Sequence, residues 1–355
     1  REYIKQAEEA SLEIDEEVTE AVQDILSTVR NDGDEGVRNL TRKFDDVERE
    51  NLRVSQAEIE AAEADLSTEH REAIDKTIEN VRAFHEEQRT HVEGFEKEFQ
   101  SGVKLGQRVV PVESAGTYVP GGRHPLVAAP AMSIVPAVIA GVDKIVTCAP
   151  PQPDGTIQSA QLYAMDQAGA DEIYCIGGAQ AVGAMAHGTE TVPSVAKITG
   201  PGNVFTTEAK RQVYGHVGID FLAGPSEVLI MADETSDPEL IATDLLAQAE
   251  HDPNSRPILV STDETIARDV MTELSEQLPA LETEETAREC WENNGEVIIA
   301  DDMDAAVDTA NEYAIEHLQV MTDEPRDLMD DLHNYGSLFL GDHSPVVFGY
   351  KAVGT

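Results

Sequence analysis

Glu172-Ile173-Tyr174-Cys175-Ile176-Gly177-Gly178-Ala179-Gln180 sets the fold class. A short run of β-branched and aromatic residues leads straight into paired glycines, and residues 180–187 then read as a helix. The same texture recurs on both sides. Lys144-Ile145-Val146-Thr147-Cys148 reads as a strand between helical runs at 133–140 and 159–168. Lys197-Ile198-Thr199 is a short strand before Gly200-Pro201-Gly202-Asn203 and a helix at 206–214. Alternating β and α units of this length predict a parallel sheet with helices on both faces.

A second α/β series follows. Strands are expected at 228–232, 258–260, 296–300 and 337–340, with helices at 238–250, 265–277 and 303–313. Upstream, residues 1 to about 100 read as helical. Ile14, Val18, Val22, Ile25 and Val29 form one apolar stripe, and Asn31-Asp32-Gly33 supplies a turn before a fresh helix start. Ser55 and Glu58 have the spacing of a capping box. A long helix is expected at 68–93, with Gly94 as its stop. Residues 103–119 alternate and read as a hairpin. These patterns group residues 1–116 with 228–355 as a discontinuous α/β domain and leave 117–227 as the other domain.

Composition limits the function classes. The 355 residues carry 69 Asp and Glu against 25 Lys and Arg, a formal charge of −44. Such a surface repels phosphate backbones, which argues against a nucleic-acid partner. With 41% apolar residues the chain is not a disordered acidic polymer. Only 9 of the basic residues are Lys, and the acidic balance points to a salt-rich, halophilic cytoplasm. No run approaches the roughly 18 uninterrupted apolar residues of a membrane span. The longest weakly polar stretch, 127–142, contains Pro130 and Pro136. Arg1-Glu2-Tyr3 opens no basic-then-apolar leader, so a cytoplasmic location is expected. Cys148, Cys175 and Cys290 are too scattered for a disulfide framework or zinc knuckle, and Cys148 and Cys175 are expected as buried strand residues.

Neither the Gly-x-Gly-x-x-Gly nor the Walker fingerprint occurs. Four glycine turns remain: Tyr118-Val119-Pro120-Gly121-Gly122, Gly177 to Gln180, Gly200 to Asn203, and Ala223-Gly224-Pro225-Ser226-Glu227. Ligands of open parallel sheets bind beyond the carboxyl ends of strands, where backbone N–H groups and helix N-termini meet anions. The plain alternative is that the glycines only make tight turns. Gln248 and His251 share a helix face, and an amide oxygen with an imidazole suits zinc. Two ligands are not a site, and a helix-end pair offsetting the dipole is the plain alternative. In Glu316-His317 the imidazole suits a base for an alcohol proton, and the carboxylate can activate water or hold the ring. In a regular strand these neighbours face opposite ways, so joint use predicts irregular backbone. A surface Glu beside a structural His is the plain alternative.

Taken in order, Gly200-Pro201-Gly202-Asn203, Glu208-Ala209-Lys210-Arg211, Ala223 to Glu227, Gln248-Ala249-Glu250-His251 and Glu316-His317 resemble the histidinol dehydrogenase family. The resemblance runs over most of the chain and resumes at Gly336 to Gly341. It implies two incomplete Rossmann-like domains, with 117–227 binding NAD. It also implies a zinc-dependent cytoplasmic homodimer that oxidises L-histidinol to L-histidine in two NAD-dependent steps through a bound aldehyde. Carried over by position, His317 is the base and Glu316 activates water. Gln248 and His251 are zinc ligands that also meet the substrate, as do Ser226 and His317. Tyr118, Gln180 and Asn203 hold NAD. The family's further Asp ligand falls at Tyr350, and its Pro before the Glu-His pair is Ile315 here. Members continue into a small C-terminal domain that carries a Glu and a second His for the metal, and the resemblance implies that this part is missing from the 355 residues. A relative oxidising another alcohol, such as 2,3-dihydroxypropane-1-sulfonate, and a catalytically weak paralogue are the alternatives. The runs 116–125 and 351–355 resemble the sulfonate relatives, whereas Gly178-Ala179-Gln180 and Pro225-Ser226-Glu227 resemble the histidinol enzymes.

Overall fold

The computed structural model of the chain describes residues 1–7, 16–121, 126–222 and 224–349. Among the described residues there are two units, a continuous one within Glu13–Ala223 and a discontinuous one within Arg1–Leu12 and Gly224–Gly349. The chain starts with strand β1 (Glu2–Lys5), then helices α1 (Glu16–Asp45), α2 (Gln56–Asp65) and α3 (Thr68–Thr90). Gly33 breaks α1 with φ 57°, at the turn the sequence predicts. There the Glu190 carboxylate accepts the Asp34 N–H at 2.7 Å, capping the second half of α1 from outside the helix. The Ser55–Glu58 capping box is present at α2, and the Ser67 hydroxyl caps α3.

Strands β2 (Phe95–Gln100) and β3 (Val103–Gln107) form an antiparallel ribbon. Then come β4 (Ser114–Tyr118), α4 (Ala128–Ala140), β5 (Lys144–Ala149), α5 (Ser159–Ala168), β6 (Glu172–Cys175), α6 (Gly178–His187), β7 (Lys197–Thr199), α7 (Val204–Val213) and β8 (Gly218–Ile219). The five strands are parallel in the order β6-β5-β4-β7-β8. Residue alternation along β5 feeds both faces. Val146 and Cys148 pack with Val22, Val29, Val182 and Met185 of α1 and α6, whereas Ile145 and Ala149 pack with Ile78, Val81 and Ile134 of α3 and α4.

The discontinuous unit adds β9 (Glu227–Ala232), α8 (Pro238–Ala249), β10 (Arg256–Ser261), α9 (Glu264–Gln277), α10 (Glu284–Asn294), β11 (Glu296–Ile299), α11 (Met303–Tyr313), β12 (His317–Met321) and β13 (Ser337–Leu340). Its sheet runs β1-β11-β10-β9-β12-β13, parallel except for β1 against β11. Counted along the chain, β4–β8 and β9–β13 share one strand order, 3-2-1-4-5.

Three expectations change. The hairpin lies at 95–107, and 114–118 is instead the central strand of the first sheet, because its small residues fit between two helical layers. The N-terminus opens with a strand, since Tyr3 and Ile4 pack on the second core. Helices α1–α3 belong to the continuous unit rather than with 228–355. Their apolar stripes, Val22 to Val29 and Ile74 to Val81, fill the two faces of the β4–β8 sheet.

Candidate active site

In the discontinuous unit the expected acid–base residues sit at the amino edge of the sheet. His317 begins β12 and pairs in register with Val228 and Ser337. Ala314 takes the left-handed conformation at the end of α11, φ 50°, which supplies the irregular backbone expected before His317. His317 is 5% exposed, and its Nδ1 lies 2.9 Å from the Glu227 carbonyl oxygen. A carbonyl only accepts, so Nδ1 carries the proton and Nε2 is the basic nitrogen of the neutral ring. Glu316 lies 3.7 Å from the same Nδ1, and its carboxylate accepts the Glu227 N–H at 3.3 Å while remaining 43% exposed. Glu227 in turn pairs with Arg256 at 3.0 Å, and Arg256 reaches Glu296 at 3.5 Å. Ser226 precedes β9 and its carbonyl accepts the Arg256 N–H at 3.1 Å, so it shares this edge.

Gln248 occupies the last turn of α8, where it is buried, and His251 follows in the turn beyond, exposed. Helix α8 lies on the side of the sheet that bears His317. Alternation puts Gln319 and Met321 on that face. Gln319 bonds Asp244 of α8, and Met321 packs with Leu245 and Leu246. An amide oxygen and an imidazole suit zinc, but two donors do not fill a tetrahedral site. Among the described residues no group of three His, Cys, Asp or Glu can hold an ion. Tyr350, residues 122–125 and 351–355 lie outside the described residues.

In the continuous unit the expected cofactor residues stand at the carboxyl edge. Tyr118 ends β4, and its hydroxyl accepts the Gly178 N–H at 3.0 Å. Burial pushes its pKa up to about 12, so the phenol keeps its proton. Gln180, in the first turn of α6, donates to Asp45 at 3.5 Å, and burial lifts the Asp45 carboxyl to about 6. Asn203 caps α7, its side-chain oxygen accepting N–H groups of Phe205 and Thr206 at 3.1 Å each. Between β4 and β7, where the strand order reverses, Gly200 (φ 118°) approaches so closely that a Cβ would collide with the Tyr118 carbonyl. The adjacent Thr199 hydroxyl is buried without a partner. Gly200 is thus required by close packing against β4, and the unspent Thr199 hydroxyl at the switch point is the polar group left over for a ligand.

The sequence reading missed the supports of this turn. Lys210, 3% exposed, bonds the Gly200 carbonyl at 3.0 Å and Asp220 at 2.7 Å, while Asp220 accepts the Gly200 N–H at 2.8 Å. Lys210 falls within a quoted motif, and a lysine ten residues after a glycine turn was the available signal. Asp45 and Asp244 carry no local signal at all. The fourth glycine turn precedes β9, so it lies at an amino edge and not the expected carboxyl one. Cys148, Cys175 and Cys290 are all buried. Burial pushes the Cys175 and Cys290 thiols to about 12 and Cys148 higher still, which disfavours the thiolate a nucleophile needs.

These features define an α/β protein of two like-ordered sheets, with Tyr118, Gly178 and Asn203 at the carboxyl edge of one and a buried histidine, His317, at the amino edge of the other. The family model described as "Histidinol dehydrogenase" matches residues 8–355. The histidinol dehydrogenase of Methanothermobacter thermautotrophicus is 48% identical over 98% of this chain and 81% of its own length. A "Histidinol dehydrogenase homolog" of Shouchella clausii is 44% identical over 99% and 84%. The crystal structure of histidinol dehydrogenase from Elizabethkingia anophelis superposes with a TM-score of 0.93 at 36% identity, covering 99% of this chain and 80% of that one. The chain belongs to the histidinol dehydrogenase family. Membership implies an oxidoreductase acting on a small molecule in histidine biosynthesis.

Proposed function

We propose that the chain oxidises L-histidinol to L-histidine in two NAD-dependent steps through a bound aldehyde. The observation that carries this reading is His317, held by the Glu227 carbonyl in the tautomer whose Nε2 is basic. NAD, when bound, supplies the hydride acceptor. In the first step His317 takes the hydroxyl proton as the carbinol carbon gives up a hydride, which leaves the aldehyde. In the second, Glu316 takes a proton from water as the water oxygen bonds the aldehyde carbon, and His317 returns its proton to the aldehyde oxygen, which gives the hydrate. The again neutral His317 then takes one hydroxyl proton of the hydrate as a second hydride leaves to a second NAD, which gives the carboxylic acid, and this loses its proton to solvent as the carboxylate. Half exposed beside a buried ring, Glu316 has the water access this role needs. Tyr118, Gln180 and Asn203 are read as the NAD-holding residues, and both sheets as incomplete Rossmann-like units that share the order 3-2-1-4-5 with, among the described residues, no further strand beyond the fifth. Ser226 is read as a substrate contact. Gln248 and His251 are the donors this unit offers both to substrate nitrogen and to zinc, and zinc needs further donors beyond them.

NADH formed per L-histidinol, with and without chelator, tests the reading. Two equivalents are expected, and a single one contradicts it. Oxidation of another alcohol, such as 2,3-dihydroxypropane-1-sulfonate, is a second reading. The Shouchella clausii relative is named a homolog rather than the enzyme, and that name specifies no substrate. Turnover of the sulfonate with none of histidinol would establish it. A cytoplasmic homodimer completes the proposal. No helix among the described residues is long and apolar enough to cross a membrane. The β2–β3 ribbon exposes Phe95, Phe99 and Leu105, and a two-stranded ribbon is marginal alone in water. Sedimentation at one chain mass contradicts the dimer.

A further inference from the structure

A partly buried hydrogen bond joins α8 to β12, from the Gln319 side-chain nitrogen to the Asp244 carboxylate at 2.7 Å. Gln319 is 0% exposed and lies two residues beyond His317 on the same strand face. Asp244 lies one turn before Gln248 on the same helix face. Helix α8 packs chiefly over β9 and β10, so this pair is a polar reach from the covering helix to the next strand.

As packing alone the pair is a poor choice. The side-chain oxygen of Gln319 is buried with no partner. Burial also raises the Asp244 carboxyl above its ordinary range. The surrounding layer is apolar, with Val228, Ile230, Leu245, Leu246 and Met321. Two leucines would avoid an orphaned acceptor and a desolvated carboxylate. Local choices that oppose stability collect where function constrains the chain.

We propose that Asp244 and Gln319 are positioning residues that lock α8 against β12 and so set the placement of Gln248 and His251 relative to the base His317. This rests on the roles assigned to those three residues above. A misplacement of about 1 Å in such an array costs on the order of a hundredfold in rate.

The test compares the wild-type chain with Asp244→Leu/Gln319→Leu, Asp244→Asn and His317→Asn, with NAD, zinc and L-histidinol. Melting temperature, NAD affinity and L-histidinol affinity by calorimetry are recorded beside kcat. The double variant is expected to melt at or above wild type and to bind NAD normally. It is expected to bind L-histidinol more weakly and to lose at least about tenfold in kcat. Asp244→Asn keeps an acceptor for the Gln319 amide and is expected to rescue most of the rate. Wild-type kcat in the double variant overturns the proposal, as does an Asp244→Asn loss equal to that of the double variant. A double variant that melts lower and loses NAD binding as well shows a structural role, which also overturns it. Full turnover by His317→Asn, or none by wild type, instead removes the functional reading and the positioning claim with it.

Discussion

In the β4–β8 sheet, Tyr118, Gly178 and Asn203 stand at the carboxyl edge, where α6 and α7 begin. In the β9–β13 sheet, Glu227, Arg256 and His317 stand at the amino edge, where α8 and α11 end. Helix N-termini present N–H groups and the positive end of the dipole, which suits phosphates. Helix C-termini present carbonyls and the negative end, which suits cations and groups that take up protons. One strand order therefore sets helix N-termini beside Tyr118, Gly178 and Asn203 in one unit and helix C-termini beside His317 in the other, and the proposed function assigns the anion seat and the proton acceptor to these two edges.

The sharpest break in that comparison comes from Glu316→Gln. An amide cannot take a proton from water, so the second oxidation is expected to fall by roughly 10²–10⁴. The first oxidation should continue, and NADH should stop at one equivalent per L-histidinol. Two equivalents at an undiminished rate would remove Glu316 from the amino-edge chemistry.

The carboxyl edge is tested by Lys210→Met, which strands the Asp220 carboxylate and frees the Gly200 turn. Breaking a pair this buried is expected to cost roughly 3 kcal/mol in denaturant unfolding. NAD affinity should fall with it. Unchanged NAD affinity would mean that the turn is not part of the cofactor seat.

Salt acts on both units at once. At −44 the chain repels itself in dilute buffer, and molar salt screens that repulsion. The melting temperature is expected to rise by several degrees from low to molar salt, and a flat response would contradict a halophilic design.

The smallest effect is at Asp45. Its carboxyl holds a proton to about pH 6 in the fold against roughly 4 when unfolded. The folded state is therefore favoured below pH 4 and loses that advantage as pH rises through 6. Asp45→Asn is expected to raise the melting temperature at pH 7–8 relative to wild type and to leave little gain near pH 4. An equal gain at both values would contradict the burial effect.

Much of this architecture was legible in the sequence, because glycine turns and β-branched runs are local signals. The helices Ser159–Ala168 and Met303–Tyr313 and the strand Ser337–Leu340 fall where periodicity places them. Strand β4 was misread because Ser114-Ala115-Gly116-Thr117-Tyr118 is alternating and small, a pattern that a hairpin shares. The placement of α1–α3 was not legible, since an apolar stripe names a buried face but not its partner. Nor was the edge at which each site residue sits, which depends on the direction in which the chain enters the strand. Glu316 and His317 were readable as an acid–base pair. Their link through the Glu227 backbone, 90 residues away for the His317 contact, arises only from the β9–β12 pairing.

The most direct measurement is NADH formed from L-histidinol by wild type and by His317→Asn, with NAD affinity measured on both. The account expects two equivalents from wild type and a loss of about a hundredfold or more in the variant at unchanged NAD affinity. Equal turnover by the two proteins would contradict a proton acceptor at the amino edge of the second sheet.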